Sequence, residues 1–294
     1  MMRRPGPRQI AMAAAGAAAA VALRHVYRGW RAENIAGQVV LITGGSRGLG
    51  LSLARAFAAE GCLVAICARN PLELERAQAD LERRGAHVLA MECDVSSREQ
   101  VERMVAAAIR HYGGVDILVN NAGEIQVGPL VNMTLEDFER AMDVMFWGTV
   151  YPTMALLPHL VERARGHVVN ITSIGGKLSV PHLLPYGCAK FAAVGFSEGL
   201  RAELAASGVK VTTIAPGLMR TGSYLNAHFA GRPDRESAWF GLGASLPLLT
   251  IGRRGRSSPP PAAAMPSASL GRRPRWRRGS TRCFRALPAA FSGW

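Results

Sequence analysis

Two residues in the run Tyr186-Gly187-Cys188-Ala189-Lys190 can do chemistry together. On a helix, side chains four positions apart lie on one face, close enough to share a reacting atom. An ammonium ion beside a phenol lowers the phenol's pKa and makes it a usable acid or base. The chain has five Tyr and three Lys among 294 residues, so chance supplies such a spacing only about 0.05 times.

The pair needs a helix, and the helix needs something to hold it. From Gln38 the chain alternates apolar strand-like runs with helical spacing. Strands are expected at Val39–Thr43, Leu63–Cys67, His87–Glu92, Ile117–Asn120, His167–Ile171 and Lys210–Ile214. Helices are expected at Gly48–Glu60, Leu72–Arg84, Arg98–Tyr112, in a long region from Leu135, and over Tyr186–Ala206. Continuous apolar strands separated by helices imply a parallel sheet covered on both faces. The fold class is therefore α/β, a doubly wound, Rossmann-like parallel sheet of six to seven strands in a single domain.

Net charge stands at +14, a balance often associated with nucleic acid or membranes. Its placement argues otherwise. Taking away the ten arginines of residues 253–294 and the net five of residues 1–36 leaves −1 for residues 37–252. The central domain is near neutral, which disfavours a nucleic-acid partner. Cys62, Cys67, Cys93, Cys188 and Cys283 show no paired or metal-ligand spacing, as expected in a reducing compartment, and no metal site is expected.

Both ends differ from the middle. Residues 1–36 contain the uncharged, Ala-rich run Ile10–Leu23 flanked by arginines. At 14 residues it is short for a membrane span, which wants about 20. It reads either as a weak membrane anchor or as an Ala-rich surface helix, on a protein otherwise expected in the cytoplasm. In residues 253–294, Arg, Pro, Ala, Ser and Gly make up 33 of 42 positions. This tail is expected to be disordered, and its abrupt onset near Gly252 reads as the product of a reading-frame shift in a GC-rich gene, or else as a solvated basic tail.

Strand Val39–Thr43 runs into Thr43-Gly44-Gly45-Ser46-Arg47-Gly48-Leu49-Gly50 and then a helix. Glycines there permit a tight turn and close approach to a pyrophosphate, which the helix N-terminus can bind through free N–H groups. An NAD site usually ends its second strand with an acid to hold the ribose 2′-hydroxyl. Here that place reads Cys67-Ala68-Arg69-Asn70, with no acid before Glu73. Arg47 and Arg69 suit a 2′-phosphate, so NADP(H) is the expected cofactor.

With Asn120-Asn121-Ala122-Gly123 and Pro216-Gly217 followed by Thr221, these motifs make the chain resemble the short-chain dehydrogenase/reductase family, over roughly Gln38 to Thr221. The resemblance implies hydride transfer between a nicotinamide and an alcohol or carbonyl substrate. It assigns Ser173, which lies 13 residues before Tyr186, to orienting substrate. It makes Tyr186 the acid/base and Lys190 the ligand of the nicotinamide ribose. The turn with Gly44, Ser46, Arg47, Gly48, Leu49 and Gly50 is expected to bind the cofactor's phosphates, Arg47 reaching the 2′-phosphate. By the same resemblance Asp94 and Val95 join Arg69 at the adenosine, Asn121, Ala122 and Gly123 support the centre, and Pro216, Gly217 and Thr221 lie over the carboxamide.

Two departures stand out. The family often carries an asparagine, supporting a proton-relay water, where Asp143-Val144-Met145-Phe146-Trp147 places Met145. The family also finishes with a seventh strand and helix, which the residues after Gly252 do not supply. These departures keep open a second reading, a catalytically silent or truncated NADP(H)-binding protein. The stretch Gly222–Leu249, with Tyr224, Phe229, Trp239 and Phe240, is expected to cover a lipophilic substrate. Helices within Leu135–Arg163 and Tyr186–Ala206 are expected to form a homodimer interface.

Overall fold

The computed structural model describes residues 34–217, 227–232, 234–237 and 240. The Ala-rich run Ile10–Leu23, Thr221, Tyr224, Trp239 and the tail 253–294 lie outside the described residues.

Six strands form one parallel sheet: β1 (Val39–Thr43), β2 (Leu63–Ala68), β3 (Val88–Glu92), β4 (Ile117–Asn120), β6 (Gly166–Ile171) and β7 (Val209–Ile214). Their order is β3-β2-β1-β4-β6-β7. The chain thus starts in the middle, winds outward one way and crosses back beside β1. All pairs being parallel, the carboxyl ends of β1 and β4 open on one side at this reversal, where ligands of such sheets bind.

Helices follow from local signals. α1 (Gly48–Ala59) buries Gly50, Ala54 and Phe57. α2 (Pro71–Glu82) starts with proline in its first turn, and the Asn70 side chain accepts hydrogen bonds from the N–H groups of Leu72 and Glu73. α3 (Arg98–Tyr112) is capped by Ser97 and stopped by Gly113 at φ +77°. α4 (Leu135–Met142) opens with a capping box between Thr134 and Asp137. It passes through a π-helical turn, Asp143–Trp147, into α5 (Gly148–Glu162). The whole run Leu135–Glu162 has the length and apolarity to cross a membrane, but Leu156 and Leu160 are fully buried in the protein core. α6 (Leu184–Glu203) begins two residues before Tyr186.

Alternation along the strands builds two apolar layers. Leu41, Cys67, Leu118 and Val168 face α3, α5 and α6 on one side, whereas Val40, Ile42, Ile66 and Val119 face α1 and α2 on the other. At the amino end of the sheet, buried Asp116 accepts from the backbone N–H of Val39 at 3.0 Å and pairs with Arg163 at 2.8 Å and Arg165 at 2.7 Å. These donors hold its carboxyl below the usual range against the opposing effect of burial. Cys62, Cys67 and Cys93 are buried free thiols and Cys188 is exposed.

One element was not expected. β5 (Gln126–Val127) pairs in parallel with β8 (His228–Phe229), forming a separate two-stranded sheet above the reacting end.

Candidate functional site

Ser173 follows the carboxyl end of β6 in extended conformation, and its Oγ accepts the N–H of Gly175 at 3.0 Å. That contact starts a 3₁₀ turn, Ile174–Gly176, which docks tightly on α6. A Cβ at Gly176 would lie 2.6 Å from the Lys190 carbonyl oxygen. The turn therefore sets the distance between the serine and the helix that carries Tyr186 and Lys190.

Tyr186 stands in the first turn of α6, with Lys190 one turn further along. The ammonium Nζ lies 5.9 Å from the Tyr186 ring centroid. It is buried, 6% exposed, and donates to the Ile171 carbonyl at 3.0 Å. Burial pulls Lys190 down from 10.5 to about 8. The phenol behaves differently from the expectation that a neighbouring ammonium lowers it. Burial pushes Tyr186 above its ordinary value, and the hydrogen bond with Ser173 only partly offsets this. In the protein alone, desolvation outweighs the Ser173 hydrogen bond, so the tyrosine keeps its proton at neutral pH.

Met145 sits in the π-helical turn, 1% exposed. A Cβ at Gly123 would lie 3.6 Å from Met145 Cγ and 3.7 Å from Lys190 Nζ, so the thioether and the ammonium flank the same glycine. The Met145 carbonyl accepts from Thr149 Oγ1 at 2.9 Å.

The opposite lip of the cleft is backbone. Gly44 at φ +66° and Gly48 at φ +56° shape the turn between β1 and α1. A Cβ at Gly50 would lie 2.0 Å from the Gly44 carbonyl oxygen. No side chain caps α1 at Arg47, which leaves first-turn N–H groups directed at the cleft. Asn121 locks this turn to β4: its amide donates to the carbonyls of Thr43 at 2.9 Å and Gly44 at 3.1 Å. The N–H groups of Asn121 and Ala122 meet Thr43 Oγ1 at 3.0 and 3.1 Å. A bare, glycine-lined turn at an uncapped helix end fits a dinucleotide pyrophosphate.

The remaining expected residues that are described, all but Thr221, lie in the segments that follow β1, β2, β3 and β7. Leu49 is half-buried against the α1–α2 layer. Asp94 Oδ1 accepts from Ser96 N–H at 3.0 Å, and buried Val95 packs where a Cβ on Gly148 would meet it at 2.7 Å. The Pro216 carbonyl accepts from Ile174 N–H at 2.9 Å, tying the loop with Gly217 to the serine turn. The two arginines are placed less openly than their sequence positions imply. Arg47 Nη1 pairs with Glu73 at 2.9 Å, and Ser46 Oγ donates to the same carboxylate at 3.1 Å. Arg69 lies 3.6 Å from Glu124, a carboxylate held more closely by Arg140 at 2.9 Å. Glu73 was visible as the first acid after β2, but nothing in its spacing showed that it folds back onto the turn. Glu124 gave no signal at all.

The family model for short chain dehydrogenases matches residues 38–227, the whole of this arrangement. The chain belongs to that family. A dehydrogenase/reductase SDR family protein 7-like from Anopheles gambiae is 36% identical over 238 residues, covering 79% of this chain and 72% of the relative. A short chain dehydrogenase/reductase from Burkholderia phymatum, solved in complex with NAD, matches with a TM-score of 0.70 at 25% identity, over 74% of this chain and 83% of that one. A variant of actinorhodin polyketide ketoreductase, solved with NADPH, gives 0.62 at 28% identity, over 73% of this chain and 95% of that one. As a short-chain dehydrogenase the protein is an oxidoreductase of the hydride-transfer kind, acting on alcohol or carbonyl groups of small molecules with a nicotinamide cofactor.

Proposed function

We propose that this short-chain dehydrogenase is an NADP(H)-dependent enzyme for a lipophilic alcohol/carbonyl pair, with Ser173, Tyr186 and Lys190 as its catalytic residues. The observation that carries this reading is the convergence of the three at the carboxyl end of β6, held by the Ile174–Gly176 turn.

Roles follow from what each group has left to give. The Gly175 N–H engages Ser173 Oγ, and the hydroxyl proton, directed at Tyr186 in the protein alone, would turn to a substrate oxygen. Tyr186, protonated at neutral pH because burial raises it, gives its proton to that oxygen in reduction and takes it back in oxidation. Lys190 spends one N–H on the Ile171 carbonyl and has two more for the ribose hydroxyls beside Tyr186. A nicotinamide cofactor supplies or accepts the hydride. Gly44, Ser46, Arg47, Gly48, Leu49 and Gly50 would hold its pyrophosphate side and Arg69, Asp94 and Val95 its adenosine. Asn121, Ala122 and Gly123 would hold its centre, and Pro216, Gly217 and Thr221 its carboxamide. Arg47 and Arg69, rather than any acid at the end of β2, favour the 2′-phosphate.

The substrate side is apolar. Val127, Leu183 and Phe240 form a small cluster against which Val180, Tyr186 and Phe229 pack. A substrate oxygen reaching Tyr186 passes this wall, which favours a lipophilic carbonyl. The catalytic unit spans 37–252, between an N-terminal segment proposed to associate weakly with membranes through residues 10–23 and the basic tail. Exposed Trp147 in the π-helical turn, Met154 on α5 and Phe191 on α6, with Trp147 stacked on Tyr151, favour a homodimer.

Met145 favours one other reading, an NADP(H)-binding protein without turnover. Loss of NADPH absorbance with a panel of lipophilic ketones and aldehydes separates the two. Turnover establishes the reductase, whereas NADPH binding with no turnover across the panel establishes the silent protein.

A further inference from the structure

The Glu73 carboxylate accepts from two successive residues of the glycine-rich turn, Ser46 Oγ at 3.1 Å and Arg47 Nη1 at 2.9 Å. One oxygen takes the hydroxyl and the other the guanidinium. An anion with two acceptor oxygens is thus already seated on Arg47, which the proposed function offers to the 2′-phosphate, and on its neighbour Ser46. Its position is secured from behind. Glu73 lies in the first turn of α2, where the helix end favours negative charge, and its own N–H donates to the Asn70 cap at 3.2 Å.

We propose that Glu73 is a built-in stand-in for the 2′-phosphate and the residue that sets the NADPH/NADH ratio. The inference rests on reading Ser46 and Arg47 as cofactor ligands. A 2′-phosphate, carrying about two negative charges, cannot share these donors with a carboxylate at hydrogen-bond distance, so Glu73 must swing away. A 2′-hydroxyl makes no such demand and can donate to the resident carboxylate. Glu73 therefore weakens NADPH without weakening NADH. The result is a cofactor preference milder than two arginines alone would give. Arg69 offers less resistance, because Glu124 keeps Arg140 as its closer partner when Arg69 turns to the phosphate.

The test is calorimetric titration of the full chain with adenosine 2′,5′-bisphosphate and with adenosine 5′-monophosphate, which needs no turnover. Glu73→Gln keeps the shape and removes the charge. It is expected to tighten the bisphosphate about three- to tenfold and to leave the monophosphate within about twofold. Arg47→Gln should weaken the bisphosphate and erase the gain in the double variant, because the gain acts through that guanidinium. If wild type prefers the bisphosphate but Glu73→Gln leaves its affinity unchanged, the stand-in role is wrong and the NADP(H) reading survives. A preference that appears only in Glu73→Gln supports the stand-in in its strongest form. If neither protein distinguishes the two ligands, the NADP(H) reading falls and takes the inference with it.

Discussion

On the nucleotide side of the molecule, β1 pairs with β2 over five consecutive residues and with β4 over three, and Asn121 laces the glycine turn to the end of β4. On the substrate side, β5 and β8 pair over two residues, and a contact of 2.6 Å between His182 Nδ1 and Glu236 ties the residues before Tyr186 to the turn at 234–237. The first region is specified by backbone geometry. A change there acts on everything the sheet carries. The second is held by a few side chains around Val127, Leu183 and Phe240, and a change there should act on substrate alone. Ser173, Tyr186 and Lys190 lie on the seam, borrowing rigidity from β6 and α6 while facing the looser side.

The strongest way to break this contrast is Gly50→Ala. Its Cβ would lie 2.0 Å from the Gly44 carbonyl oxygen, a collision with backbone that no side-chain rotation relieves. We expect a loss of about 3 kcal/mol in folding stability together with loss of NADPH binding, measured by thermal melting and fluorescence titration.

Lys190→Met sharpens the comparison from the seam. Holding a charged Lys190 at a pKa of about 8 instead of 10.5 penalises the fold by about 3 kcal/mol at neutral pH. The variant should therefore be more stable than wild type in urea melts while losing turnover. The sign follows from the depressed pKa: below about pH 8 both folded and unfolded wild type carry the proton, so the penalty is complete. Between about 8 and 10.5 the folded protein sheds it first, wild type gains stability, and the gap to Lys190→Met closes. A gap that stays constant across that range would contradict the assignment of burial as the cause.

On the substrate side, Glu236→Gln weakens the contact with His182, whose backbone holds φ +64° and whose carbonyl accepts from Gly128 N–H at 2.9 Å. KM for a bulky ketone should rise about three- to tenfold, with kcat and NADPH affinity unchanged. A change in NADPH affinity of the same size would mean that the two sides are not separable.

The contrast also explains what the sequence discloses. Long apolar runs such as Val39–Thr43 pair with neighbours of the same kind, so the six strands and the helices between them are written locally. The Gly44–Gly50 turn and the Tyr186/Lys190 spacing are legible because each packs its chemistry into a few consecutive residues. The β5–β8 pair is not, since two-residue strands about a hundred positions apart leave no periodicity. Nor are the ion pairs of Arg47 and Arg69, because a surface arginine meets whatever acid the fold brings round, here Glu73 from α2 and Glu124 from beyond β4. The phenol's raised pKa was hidden for a related reason: the lysine neighbour is local in sequence, whereas the burial that raises the phenol comes from the whole fold.

The most direct test of the central claim is Tyr186→Phe, with NADPH affinity and carbonyl reduction measured on the same preparation. If Tyr186 donates the proton while the cofactor is held chiefly elsewhere, affinity should stay within about twofold and turnover should fall about 10²–10⁴-fold. Turnover that survives the loss of the hydroxyl would place the proton donor at another group and contradict the account.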